Sequence, residues 1–262
     1  MIPGWPVALT VAGSDSGGGA GIEADLKTFT AFGVWGTVAL TAVTAQNHRG
    51  VLASALVDPA MVAAQMEAVA DLAPVRAWKT GMLGDSPVIE AVASAMERLS
   101  LGPLVVDPVQ AASAGGSLLE AEAVPVLAAR LLPHCTVFTP NLPEAEAFLG
   151  APVTNRHEMI EAAAALADLG PECVLLKGGH LAGPDAPDLL WMDGGPTWLE
   201  GPRIPAAHSH GTGCTLSAGI TAGLASGMPV AEACRAARRF VRQALASLVP
   251  AGGDPGAPSP PG

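Results

Sequence analysis

The chain has 262 residues, 50% of them hydrophobic and 14% charged, the profile of a globular protein with apolar residues enough for a sizeable core. Thirteen Lys and Arg against 24 Asp and Glu leave a net charge of −11, which argues against a nucleic-acid partner whose phosphates would have to be neutralised. A mean hydropathy of +0.39 comes from Ala, Val and Leu spread between Gly, Pro and charge, and no apolar run reaches the roughly 18 residues of a membrane span.

In chain order, apolar runs at 7–13, 37–45, 103–109, 135–141 and 173–179 predict buried strands that end at Gly, Pro, Asn or Asp. Helical periodicity is predicted over 20–32, 59–72, 86–99, 121–132, 143–149, 156–169, 212–226 and 229–248, usually with Pro, Ser, Thr or Asp near the start. Such a succession builds a mostly parallel sheet covered by helices on both faces, with its ligand crevice at the carboxyl ends of the strands. Two short alternating runs within 189–204, joined by Asp193-Gly194-Gly195, predict an antiparallel hairpin at one edge. Residues 1–249 are expected to form one domain and the Pro/Gly-rich 250–262 a disordered tail. The first apolar run lacks a basic n-region and leads into a glycine loop, so it reads as a strand rather than a signal peptide. Four cysteines without CxxC spacing fit a reducing compartment, so a cytoplasmic protein is expected.

The strongest local signal is HSHGTGCTLSAGITAGLASG at 208–227, a glycine turn opening into a small-residue helix. Its N-terminal amides and helix dipole suit an anion, although an ordinary glycine-containing cap has about the same appearance. Cys214, in the first turn, is expected to have a lowered pKa suited to a base or nucleophile, while Cys135, Cys173 and Cys234 fall in core patterns. The loop AGSDSGGGAGIEADLKTF at 12–29 fits neither the Walker A nor the dinucleotide spacing. Asp107 closes one strand and Asn141-Leu142-Pro143-Glu144 follows the next, so carboxylates meet at one rim as hard oxygen ligands suited to Mg²⁺, or serve as helix caps. Lys177, one of three lysines with Lys27 and Lys79, ends an apolar strand beside two glycines and is a candidate phosphate ligand. His208 and His210 flank the glycine turn without metal-binding spacing and receive no ligand role.

Taken together, AGSDSGGGAGIEADLKTF, TAVTAQNHRGV, KTGML, VVDPV, TPNLPEAEAFLG, LLKGGH and HGTGCTLSAG resemble the hydroxymethylpyrimidine/phosphomethylpyrimidine kinases of thiamine biosynthesis, from about residue 7 to 245. The resemblance implies a ribokinase-like three-layer α/β sandwich, commonly a homodimer. Such an enzyme uses ATP and Mg²⁺ to phosphorylate 4-amino-5-hydroxymethyl-2-methylpyrimidine and then its monophosphate. It further implies Cys214 as the base and Gly211, Thr212 and Gly213 as the hole for the transferring phosphoryl group. Lys177 falls to the ATP phosphates, Asp107 and Glu144 to Mg²⁺ and its waters, and Gln46 to the pyrimidine edge, with Gly13, Asp25 and Met82 shaping the pocket. The chain departs from the family at 107–116, where DPVQAASAGG stands for DPVM-x-AKSGD, and Arg238 stands in the last helix where a lysine is usual. The altered loop predicts a second phosphorylation slower than the first. The alternatives are a pyridoxal or pyridoxine kinase of the same fold and a non-catalytic pyrimidine-binding module.

Overall fold

The computed structural model describes residues 4–47, 50–111, 116–205 and 210–247. Eight strands form one sheet in the order β10-β9-β8-β7-β6-β5-β1-β2. These are β1 (Val7–Ala12), β2 (Trp35–Leu40), β5 (Val75–Thr80), β6 (Leu104–Val106), β7 (Cys135–Phe138), β8 (Cys173–Leu176), β9 (Asp188–Met192) and β10 (Gly195–Leu199). Neighbours from β2 to β8 pair in parallel, and β8-β9 and β9-β10 are antiparallel.

The strand side chains alternate between two cores, as a period of two requires. Leu9 and Val11 of β1 and Val174 and Leu176 of β8 meet the apolar faces of α2 (Pro59–Leu72), α3 (Ser86–Arg98), α4 (Ala123–Arg130), α5 (Leu142–Leu149) and α6 (Arg156–Ala167). Ala8, Cys173 and Leu175 point the other way, into α1 (Gly21–Ala31), α7 (Thr212–Ala225) and α8 (Val230–Ser247). The result is the expected α/β sandwich of three layers. Several helices start where the sequence supplies a cap: the side chains of Asp58, Asp85, Asn141 and Asn155 accept backbone N–H groups of α2, α3, α5 and α6.

The predicted hairpin is present, with Asp193 (φ 54°) and Gly194 (φ 72°) forming the turn between β9 and β10. Two departures from the sequence reading bear on function. The run 37–45 is not one strand: it breaks at Thr41, whose backbone N–H donates to Ala12 (3.0 Å) and whose hydroxyl donates to the Met82 carbonyl (2.6 Å). Beyond it, β3 (Ala42–Asn47) pairs with β4 (Gly50–Leu56) in a separate two-stranded antiparallel sheet. The second departure is β5, whose VRAWKT carries Arg76 and Lys79 and so lacks the apolar run of a central strand, yet lies between β1 and β6. Residues 112–115 of the altered loop and the tail 250–262 lie outside the described residues. No described helix is long and apolar enough to cross a membrane.

Candidate active site

The carboxyl ends of β1, β5, β6, β7 and β8 open onto one cavity of about 520 Å³. At one end, Gly13 follows β1 and Met82 follows β5; a Cβ at position 13 would stand 3.0 Å from the Met82 sulfur, so the glycine gives the thioether its place in the wall. Gln46 of β3 reaches the same cavity, its Oε1 3.3 Å from a Thr44 hydroxyl that donates to the Ser14 carbonyl at 2.8 Å. Ser16 ties β3 to the N-terminal glycine loop through the Gln46 backbone, at 2.8 Å in each direction.

At the other end stand the charged residues. Lys177, just past β8, lies 3.3 Å from Asp107 Oδ1 and 3.6 Å from Glu144 Oε2. Burial works against its charge, but Asp107 and Glu144 outweigh that and raise its pKa, so Lys177 is an ammonium at neutral pH. Asp107 also accepts from the hydroxyls of Thr139 (3.4 Å) and Ser217 (3.1 Å). Glu144 does double duty as the third residue of a capping box, accepting the Asn141 N–H at 2.7 Å while Asn141 accepts that of Glu144 at 2.9 Å. The cap reading and the ligand reading therefore fall on one carboxylate. Among the described residues no three His, Cys, Asp or Glu cluster as a closed metal site. Two hard carboxylates beside an ammonium fit a cation such as Mg²⁺ that keeps much of its coordination for water and phosphate.

Between the two ends, the first turn of α7 faces the cavity with Thr212, Gly213 and Cys214, placing the positive end of a 14-residue helix there. Gly211 caps it at φ 78°, and a side chain at this position would come 1.8 Å from the Gly19 carbonyl oxygen; only glycine permits so close an approach. A Cβ on Gly213 would lie 3.5 Å from Lys177 Nζ and 3.7 Å from Asp107 Oδ2. The helix end and the charged rim thus face one spot. The N-terminal loop is folded on Asp15, which accepts from the N–H groups of Gly17 (2.8 Å), Gly19 (3.0 Å) and Ala20 (2.8 Å). Its Oδ2 also lies 2.9 Å from His210 Nε2. His210, which receives no ligand role from its spacing, links this loop to the glycine turn; the partner that reveals it, Asp15, lies 195 residues away. His208 lies outside the described residues.

Two expectations change. The Cys214 thiol is not acidified: burial pushes its pKa up to about 12, with Asp25 and Asp107 adding to the rise and Lys79 and the Gly21 N–H opposing it. The helix dipole at this position is outweighed by burial among carboxylates. Asp25 does not line the cavity. It is fully buried, bonded to Thr10 (2.6 Å) and to Lys79 (2.9 Å and 3.0 Å), and Lys79 is the member of the pair that meets the cavity wall. Arg238 likewise points away from the site, to Asp188 Oδ2 (2.7 Å) and the carbonyls of Glu200 (3.0 Å) and Ala186 (3.1 Å). Cys135, Cys173 and Cys234 are buried in the core as expected.

A family model described as phosphomethylpyrimidine kinase matches residues 15–257. A hydroxymethylpyrimidine/phosphomethylpyrimidine kinase from Streptomyces coelicolor is 47% identical over 248 residues, covering 95% of this chain and 91% of its own. A crystal structure of phosphomethylpyrimidine kinase from Clostridium difficile superposes with a TM-score of 0.80 at 38% identity, covering 91% of this chain and 99% of its own. The ADP complex of Bacillus subtilis pyridoxal kinase superposes with a TM-score of 0.86 at 37% identity, covering 95% and 94%.

Proposed function

The chain belongs to the phosphomethylpyrimidine kinase family, and from that premise we propose how its cavity divides the work. The enzyme is a hydroxymethylpyrimidine/phosphomethylpyrimidine kinase of thiamine biosynthesis, a phosphotransferase with the ribokinase-like fold. ATP is the phosphoryl donor; ADP and AMP-PCP complexes of the pyridoxal kinase neighbours support this. We place the pyrimidine at the Gly13, Gln46 and Met82 end and the triphosphate at the Lys177 end. The single observation behind this placement is that the first turn of α7 lies between the two, where the reacting atoms have to meet.

In the transfer, the hydroxymethyl oxygen bonds to the γ-phosphorus, the bond from that phosphorus to the bridging oxygen breaks, and ADP leaves. The hydroxyl proton passes to Cys214 Sγ. With Lys79 already opposing the rise, the thiol still stands at about 12, so only the small fraction of enzyme carrying the Cys214 thiolate accepts the proton at neutral pH. Gly211, Thr212 and Gly213 present the helix end to the moving phosphoryl group, and Lys177 neutralises its charge. Such positioning and charge stabilisation is most of what phosphoryl transfer asks of a protein. Asp107 and Glu144 would hold Mg²⁺, which supplies charge neutralisation on the phosphate oxygens. Asp25 acts through Lys79 rather than on the ring.

We further propose that residues 1–249 form one kinase domain working as a cytoplasmic homodimer. Four free cysteines support the compartment. The homodimer draws on the uncharged strand Gly50–Leu56, which among the described residues pairs only with β3 and exposes Leu52 and Leu56. Incubation with Mg-ATP and a panel of hydroxymethyl heterocycles, with products identified by mass, tests the function: pyrimidine monophosphate, then diphosphate, is expected ahead of any pyridoxine product. No product from folded protein overturns the reading.

A further inference from the structure

Immediately after Lys177 the chain runs through an exposed stretch, Gly179–Asp185, in which Leu181 is the one buried side chain. A segment with so little apolar anchorage belongs to the low-stability end of a structure unless something else fixes it. Its first two residues, Gly179 and His180, nevertheless line the cavity beside Lys177. What holds them is the guanidinium of Arg203, on the segment after β10. Nη1 donates to the Gly179 carbonyl at 2.7 Å, Nε to that of Gly183 at 3.1 Å, and Nη2 to those of Leu181 and, at 3.2 Å, Asp185. The Arg203 backbone N–H adds a bond to the Pro184 carbonyl at 2.7 Å. One planar fork thus collects the carbonyls of residues 179, 181, 183 and 185, turning the loop around a single centre. A lysine has a point charge and no fork, and cannot repeat this pattern.

We propose that Arg203 is a positioning residue for the nucleotide: it fixes the backbone of Gly179 and His180 against the bound ATP without touching the reacting atoms. The inference rests on the placement of the triphosphate at the Lys177 end. It predicts a loss confined to one substrate, because Gly13, Gln46 and Met82 stand on other elements.

The test compares wild type, Arg203→Ala, Arg203→Lys and Arg242→Ala in steady-state kinetics with each substrate varied in turn. ADP binding by calorimetry and thermal unfolding are measured on the same proteins. Arg242 donates to the Pro202 carbonyl at 2.9 Å and reaches none of the loop, so its variant controls for general loosening of this corner. Arg203→Ala is expected to raise the KM for ATP and the Kd for ADP about tenfold, with kcat and the KM for the pyrimidine within about twofold of wild type. Arg203→Lys is expected to fall between, and Arg242→Ala to match wild type. Should Arg203→Ala fail to fold, Arg203→Lys is judged by the same split. Unchanged nucleotide affinity, equal losses for both substrates, or the same effect from Arg242→Ala would overturn the proposal. Wild-type protein that binds ADP but makes no product would overturn the kinase reading instead, and ADP binding would still decide the role of Arg203.

Discussion

The ammonium of Lys79 lies 2.9 Å from Asp25 Oδ1, and neither side chain meets solvent. Burial pushes Asp25 up, while Lys79 and the Thr10 hydroxyl pull it back. Burial likewise disfavours the Lys79 charge, and Asp25 leads the groups that restore it. Removing one partner leaves the other buried and uncompensated, which typically costs about 3 to 5 kcal/mol, whereas replacing both by apolar groups is far milder. Asp25→Asn is therefore expected to lower unfolding stability by about that amount in urea denaturation, and Asp25→Leu with Lys79→Met to recover most of it. Turnover should stay low in the double variant because the cavity then lacks the Lys79 charge. Full activity in the refolded double variant would reduce the pair to a structural element.

Cys214 sets the second expectation. Cys214→Ala should lower kcat by about 10²- to 10⁴-fold, the scale of a lost general base, with the pyrimidine Kd little changed. Because the thiol is pushed up to about 12, the thiolate fraction of the free enzyme grows about tenfold per pH unit across the neutral and mildly alkaline range. Alkylation by iodoacetamide should rise in step. A rate already level by pH 8 would mean that the thiolate is formed in the resting enzyme and that burial does not control it.

The same group shapes stability at high pH. An unfolded thiol ionises near its ordinary value of 9.0, while the folded one keeps its proton to about 12; Lys177 shifts in the same direction from 10.5. Between these values the folded state binds more protons than the unfolded, so stability is present in full below about 9 and declines as pH rises towards 12. The Tm of Cys214→Ala should decline less steeply over that window. Parallel curves for variant and wild type would assign the alkaline loss to other groups.

The layered fold is legible because buried parallel strands are short apolar runs and surface helices carry one apolar face; β1 and β8 follow the first pattern and α3 and α8 the second, while α7 is buried without a break from Leu216 to Ala225. β5 is not legible, for a physical reason: Lys79 sits inside the sheet only because Asp25, 54 residues earlier, neutralises it, and no local pattern records that pairing. The merging of β2 with β3 has a similar origin. TVALTAVTA reads as one apolar run, and the break at Thr41 is made by long-range bonds to Ala12 and Met82. Cys214, Lys177, Asp107 and Glu144 stand out in the sequence as strand-end and helix-start residues, Gly13 enters through the resemblance alone, and all five line the one cavity. His210 and Ser217, which join the site through Asp15 and Asp107, belong to contacts that only the folded chain creates. The electrostatic state of Cys214 is not legible in sequence, because the helix end is visible there and the carboxylates of Asp25 and Asp107 that surround the thiol are not.

Ring choice is the last expectation, and it rests on Gln46. A carboxamide both donates and accepts, so it can pair with adjacent positions on an aminopyrimidine edge. Here Ser16 holds the Gln46 backbone on both sides, so the residue is anchored at the cavity before the ring arrives. Gln46→Leu would leave the ring edge unpaired in a cavity, weakening pyrimidine binding by about 1 to 3 kcal/mol. ADP binding, which belongs to the opposite end, should not change. The Met82 sulfur, which a Cβ on Gly13 would meet at 3.0 Å and push aside by a few tenths of an ångström, should act on ring shape instead, so Gly13→Ala is expected to weaken the pyrimidine by displacing the thioether. Calorimetry with the pyrimidine alcohol and with pyridoxine separates the two effects. Gln46→Leu should lose preference for the pyrimidine, whereas Gly13→Ala should weaken both rings. An unchanged preference in Gln46→Leu would mean that the ring is read by another group.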